Sequence, residues 1–353
     1  KEKQMTEFHI EVVRIGEITK HPDADTLGIT KVADYPAIVR LGEFKPGDLV
    51  VYIPVDSLCP DNEKFYFLAP PPKKDKEGNI KEPTPPIGQV PAKYRRIKAR
   101  RLRGVFSMGL LIHADEGMVE GEDVREKLGI DKYEPPPDEG YNFGDTRLNE
   151  PDYHYMPTYT DVEGLRRWKN IFVDGEEVIM VEKIHGENAR FCYEDNRLWI
   201  GSRTNVKKSG IGGWGKAAEL YNLENKLASW QAANNRKIVI YGETCGYTGG
   251  FPYSVKRGEA GLRLFDIYDR NLRRYVDFDE FISITNALDL PIAPVLYMGP
   301  WNKEKAYELA EGSSTLDNKH VREGVVIRPV FERRHDKLGR VILKLHGEGF
   351  LTK

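Results

Sequence analysis

Apolar residues in this chain come in short runs broken by turn residues. Residues 8–13, 29–32, 37–40, 49–53, 100–103 and 109–112 each read as a strand, with turns at His21-Pro22-Asp23 and Lys45-Pro46-Gly47-Asp48 between some of them. Short β-branched runs separated by Gly, Pro and Asp predict a small all-β barrel. Residues 70–89 (PPPKKDKEGNIKEPTPPIGQ) have no period and are expected to form a long exposed loop between barrel strands. A second break in composition, with three consecutive prolines, falls within residues 133–140. We expect a linker over 133–150, with Tyr141, Phe143, Tyr153, Tyr155 and Tyr159 packing that region against its surroundings.

Further along, strands and helices alternate. Residues 178–181, 198–204, 238–243, 262–268, 323–328 and 341–346 read as strands. Residues 215–233 have helical spacing, with Ala217, Leu220, Leu223, Leu227 and Trp230 on one face, and helices are also expected over 279–288 and 303–310. The resulting expectation is an α+β chain, with a barrel in residues 1–132 and a domain of sheets flanked by helices in 151–353.

Composition narrows the function classes. At 353 residues, two domains are the default. No apolar run could span a membrane, and the N-terminal residues lack the core of a signal peptide, so a soluble intracellular, cytoplasmic protein is expected. Cys59, Cys192 and Cys245 are too scattered for a disulfide framework or a zinc cluster. A net charge of −2 argues against coating nucleic acid by bulk charge, but a local patch remains available. Residues 93–103 supply one: Arg95, Arg96, Lys98, Arg100, Arg101 and Arg103, with Tyr94 and Phe106 nearby for base stacking. Cations alternating along one barrel face would serve RNA phosphates; cations on both faces would not.

The candidate chemistry centres on Lys183, at the end of an apolar strand and followed by Ile184-His185-Gly186. A strand fixes where the amine points, and a glycine lets the backbone approach a ligand. Arg203, Glu243, Phe265, Glu323 and Lys344 follow, each in or beside a predicted strand. Singly, each would pass as an ordinary charge or ring. In this order, KIHG, SRT, YGE, LFDIY, EGVVI and ILKL resemble the nucleotidyltransferase motifs of ATP-dependent polynucleotide ligases. HPDADTL, GDLVVYIPVDS and RLRGVFSMGLLI resemble OB-fold tRNA-binding domains. His185 within KIHGEN is similar to the nick-sealing RNA ligases of a phage type. An OB domain ahead of the catalytic domain resembles the RNA ligases of Deinococcus and Naegleria. No second OB domain is expected in the nine residues that follow Lys344. One departure is His346, which stands where the family's motif V often has a second lysine.

The resemblance implies an ATP-dependent RNA ligase, a monomer using Mg²⁺ or Mn²⁺, that joins 3′-hydroxyl and 5′-phosphate RNA ends in nick repair. Lys183 would take AMP from ATP, and AMP would pass to the RNA. An ordinary lysine is only about 0.04 % neutral at pH 7, so a neighbouring cation such as Lys344 or the metal would aid its deprotonation. Lys344 would also contact the α-phosphate, and Glu323 would hold the metal. Glu243 would bind the ribose, Arg203 the ribose or phosphates, and Phe265 would stack on adenine. Glu182 would accept from the adenine 6-amino group. Ile184, His185, Gly186 and Asn188 would line the ATP pocket, with His185 and Asn188 toward the phosphates. Competing readings are a GTP-using capping-type nucleotidyltransferase and a non-catalytic RNA-binding protein.

Overall fold

The computed structural model describes residues 8–133, 156–246, 251–256 and 258–353; the expected linker beyond Tyr133 and the aromatics Tyr141, Phe143, Tyr153 and Tyr155 lie outside them. The chain divides into two compact units, residues 1–137 and 138–351. Among the described residues, no helix is long and apolar enough to cross a membrane.

The first unit is built on the strand Leu49–Ile53, which pairs antiparallel with Glu11–Arg14 on one side and Leu110–His113 on the other. Its side chains alternate between two cores. Val51 and Ile53 pack with Ile10 and Val12, whereas Val50 and Tyr52 pack with Ile15 and Val39. Burial on both faces explains why this run is continuously apolar. A second sheet joins Thr19–Lys20, Leu27–Val32 and Tyr35–Arg40. Residues 70–89 are not structureless: Lys73–Lys74 and Ile80–Glu82 pair as an exposed hairpin. The Asp75 carboxylate closes its turn by accepting from the N–H groups of Glu77 and Asn79.

The second unit contains two sheets. Five strands run in the order Glu163–Gly164, Leu343–His346, Gly324–Pro329, Glu177–Glu182, Val295–Pro300. Six run in the order Val206–Lys207, Arg197–Gly201, Glu187–Glu194, Ile238–Cys245, Gly261–Asp269, Arg274–Tyr275. Residues 183–186 lead from the first sheet into the second. Helices Gly212–Leu220, Leu223–Asn234 and Phe278–Ala287 cover the six-stranded sheet, where Ala217, Leu227 and Phe281 meet Ile240 and Leu264. Helix Lys303–Ala310 covers the other sheet through Ala306 and Ala310.

The expected helix over 215–233 is broken at Asn222, whose backbone is left-handed (φ 50°). The break resets the helical face. Ala217, Leu223 and Leu227 are buried, but Leu220 is 54 % exposed.

Opposed charges lock the sheets to one another. Asp266, buried on the six-stranded sheet, lies 2.9 Å from Arg328 on the five-stranded sheet and 2.6 Å from Arg340. It also accepts a 2.8 Å hydrogen bond from the Tyr159 hydroxyl. Glu332 takes the other side of Arg340 at 2.6 Å. Burial pushes the Asp266 carboxyl up, but the Arg340 and Arg328 guanidiniums outweigh it and hold the carboxyl below its usual range. Its contribution to stability is therefore present at neutral pH and is lost only as pH falls below that range. Asp266→Ala removes one of the two carboxylates that Arg328 and Arg340 share, Glu332 being the other, and is expected to cost about 3–5 kcal/mol in urea unfolding. A loss under about 1 kcal/mol would match an exposed pair instead.

Candidate active site

Lys183 follows directly on the strand Glu177–Glu182, and its N–H donates to the Gly324 carbonyl at 2.9 Å, extending the strand pairing by one residue. Its Nζ lies 2.7 Å from Glu323 Oε1. Two glycines make the approach feasible. A Cβ on Gly324 (φ 152°) would come within 2.0 Å of the Leu345 carbonyl oxygen, and one on Gly186 within 2.2 Å of that of Thr244. No larger residue fits either place.

Glu323 is the meeting point of the cluster. His185 Nδ1 lies 3.1 Å from its Oε2, and His346 Nε2 lies 3.4 Å from its Oε1. Burial pushes this carboxyl up, yet His185, His346 and Lys183 together outweigh burial and hold it well below the usual range. It is ionised at neutral pH. Burial is also the largest influence on His346, and with Lys183 and Lys344 it lowers that imidazole against the opposing pull of Glu323. Lys344 is two residues from His346 on the same strand, so both project from one face of the sheet.

The six-stranded sheet supplies the opposite side. Asn188 stands opposite Glu243 in register, and Glu243 stands opposite Arg263. The Gly186 N–H donates to the Glu243 carboxyl. Burial pushes that carboxyl up to about 8 against the lowering effect of Lys183, so it is largely protonated at neutral pH. Phe265 is partly exposed, packs beside Ile184 and Cys245, and stands edge-on to Tyr159 at 5.0 Å. Asn188 Oδ1 is buried without a hydrogen-bond partner. Buried polar atoms are normally satisfied, so this oxygen is one a bound ligand would complete.

Several expected site residues have partners the sequence did not announce. Glu182 is buried, and its carboxylate accepts from the Ser314 hydroxyl and from the Thr315 N–H and hydroxyl, with Arg322 at 3.6 Å. Its role is to pin residues 314–315 to the end of the lysine strand. Arg203 lies in the loop after Arg197–Gly201, half-exposed and ion-paired with Asp161, and it does not join the Lys183 cluster. The Ile184 side chain is buried among Cys245, Tyr253 and Ala293. Lys183 is ion-paired with the Glu323 carboxylate, a contact that the expectation of a neighbouring cation did not include.

Other residues at the site were not anticipated. Tyr253 accepts from the His185 N–H at 2.8 Å, and the Phe251 N–H donates to the His185 carbonyl at 3.1 Å. The Phe251 ring lies 4.7 Å from that of His185 and stacks on His320 at 4.6 Å. Their only signal in the sequence is the pair of aromatics flanking Pro252 after Gly249-Gly250.

In the barrel unit the basic run divides. Arg95 donates to the Val90 and Cys59 carbonyls, and Arg96 pairs with Asp56 and lies over Tyr133. Both hold the barrel together. Lys98, Arg100 and Arg101 are exposed, with Ile97 and Ala99 buried between and beside them. Arg103 is exposed and donates to the Asp23 carbonyl at 2.8 Å.

Two family models match the chain: the RNA ligase family over residues 176–346 and an OB-fold domain over residues 9–114. No curated protein matches. Among solved structures, a variant of Naegleria gruberi RNA ligase with ATP and Mn superposes with a TM-score of 0.74 at 22% identity, covering 98% of each chain. The Naegleria gruberi RNA ligase with PPi gives 0.73 at 23% identity over 97% of each chain. At that identity the likeness establishes the fold.

The state of Glu243 carries a sign that can be measured. An unfolded chain releases this proton near 4.5, whereas the fold retains it up to about 8. Folding thus binds a proton in that window, and this group makes stability fall as pH rises through it. Glu243→Gln should remove the slope. The variant should match the native chain near pH 5 and gain on it toward pH 8, by at most about 1.4 kcal/mol per pH unit. Parallel stability profiles for the two proteins would contradict the assignment.

Proposed function

We propose that this chain, whose residues 176–346 belong to the RNA ligase family, joins RNA 3′-hydroxyl and 5′-phosphate ends using ATP, with AMP carried on Lys183. The observation that carries the reading is the strand-end lysine held 2.7 Å from a buried, ionised carboxylate, inside the segment that matches the family. The Naegleria structures with ATP and Mn and with AMP and Mn support the choice of nucleotide and metal, and the one with PPi is consistent with it.

In the first step the Lys183 amine leaves Glu323, sheds a proton and attacks the α-phosphorus; a nitrogen–phosphorus bond forms and pyrophosphate departs. AMP then passes to an RNA 5′-phosphate, and a 3′-hydroxyl displaces it to form the phosphodiester. Lys344, on the pocket side of its strand, offsets charge that develops on the α-phosphate. Phe265 presents a partly exposed ring for adenine. Glu243, protonated and opposite Asn188, offers the ribose hydroxyls both a donor and an acceptor. His185 and Asn188 face the phosphates. Arg203 would have to leave Asp161 to reach the nucleotide.

The residues present suit a divalent ion of the Mg²⁺ type. Among the described residues no group of three or more His, Cys, Asp or Glu could hold a metal. Mg²⁺ does not need such a group, since it keeps several waters and binds through one or two carboxylates plus substrate phosphates. Glu323 is the carboxylate that would hold it, and the ion would supply charge neutralisation at the phosphates.

The barrel contributes RNA affinity through Lys98 and Arg100, which are exposed two residues apart, whereas the neighbouring Arg101 donates to the Gly104 carbonyl and lies over Phe106. A nicked duplex, sealed during repair, is the substrate we assign.

With α-labelled ATP and Mg²⁺, the native chain should retain label on a denaturing gel, Lys183→Ala should retain none, and labelled GTP should not substitute. Label from GTP in preference to ATP would mark a capping-type enzyme instead. Replacing Lys98 and Arg100 with alanine should weaken RNA binding and lower the salt slope by about one per lost phosphate contact, without altering lysine labelling. An unchanged salt slope would remove the barrel from RNA binding.

A further inference from the structure

Beyond the lysine and its carboxylate, the short helix Glu348–Leu351 directly follows the strand that carries Lys344 and His346. It is held in one place. The Glu311 carboxylate accepts from the N–H groups of Glu348 and Gly349. A Cβ on Gly347 would meet the Ala310 carbonyl oxygen at 2.4 Å, so the chain passes this point in close contact. The consequence is the position of Phe350. Its ring stands edge-on to His185 at 5.2 Å and 68°, and nearly parallel to His346 at 6.2 Å and 15°. Edge-on and offset-parallel contacts are the arrangements that ring quadrupoles favour.

Both imidazoles reach the same carboxylate. Glu323 Oε1 is shared by Lys183 and His346, and Oε2 faces His185. When the amine departs for the α-phosphorus, Glu323 loses its nearest partner. A carboxylate free to swing would follow the ammonium and hold it away from the phosphorus. We propose that Phe350 is a positioning residue for lysine adenylylation: it fixes the rings of His185 and His346, and these keep Glu323 in place while Lys183 leaves it. His346, where the resembling enzymes often carry a second lysine, holds the carboxylate without adding a mobile ammonium that would compete with Lys183 for it. This role rests on the reading of Lys183 as the adenylylated residue.

The test compares Phe350→Leu, which keeps apolar volume but no ring, with Phe350→Tyr, which keeps the ring. Two quantities are read in the full chain: the rate of lysyl–AMP formation across ATP concentrations, and the imidazole ring-proton resonances of His185 and His346 without nucleotide. The leucine variant should lose about tenfold in kcat with KM for ATP little changed, and both sets of ring resonances should move. The tyrosine variant should keep the native rate. Phe350→Met carries the same expectation as leucine and replaces it should the leucine variant not fold. A leucine variant at the native rate, or a tyrosine variant as slow as leucine, overturns the role of Phe350. A native chain that takes no label overturns the reading of Lys183 itself, and in that case unmoved ring resonances in the leucine variant would still refute the ring contacts on their own.

Discussion

Four residues, Lys183 to Gly186, join the two sheets of the second unit, and the site exists because the chain crosses there. The crossing is tight. Gly186 passes within van der Waals reach of the Thr244 carbonyl, and the Lys183 N–H is already committed to Gly324. The lysine is thereby held at the end of a strand that is buried along most of its length, and its amine pairs with Glu323. Away from the crossing, Asp266 with Arg328 and Arg340 ties the same two sheets together. A covalent link and a buried ion network together fix the separation of the groups contributed by each sheet.

That arrangement divides the chemistry between the sheets. The five-stranded sheet presents Lys183, Glu323, Lys344 and His346, which are suited to phosphate and metal. The six-stranded sheet presents Asn188, Glu243 and Phe265, which are suited to ribose and base. Electrostatics separates the two carboxylates in the same sense. Glu323, surrounded by Lys183 and two imidazoles, stays ionised, whereas Glu243, with less compensation, keeps its proton to about 8. Two acids of similar intrinsic strength take different protonation states because their surroundings differ.

Much of this was legible along the chain, for a physical reason. The clustered residues sit at or near strand ends, and strands announce themselves by apolar runs, so Lys183, Glu243 and Glu323 were visible in order. The contacts that the sequence did not reveal share a cause. Glu182 is pinned by Ser314 and Thr315, more than 130 positions away, and a strand-end glutamate looks alike whether it faces a ligand or a distant loop. Arg203 was expected at a strand end but lies beyond it, beside Asp161 from an earlier segment. The helical period puts Leu220 on one continuous face, but the chain forms two helices divided at Asn222, and the first buries Trp214, Ala217 and Ala218 instead. In the basic run, charge alone could not separate Arg95 and Arg96, bonded within the barrel, from Lys98, Arg100 and Arg101, which are exposed. The OB-type barrel was readable from its short strands and turns, while the hairpin in residues 70–89 depended on an Asp75 turn that composition hides.

The most direct test of this account is a crystal structure of the chain with ATP and Mn²⁺, captured before pyrophosphate leaves. The account predicts that the Lys183 amine has moved from Glu323 to face the α-phosphorus, with adenine on Phe265, ribose at Glu243, and Glu182 still bound to Ser314 and Thr315. A nucleotide bound elsewhere, or one in place with Lys183 still paired to Glu323 and turned from the phosphate, would contradict it.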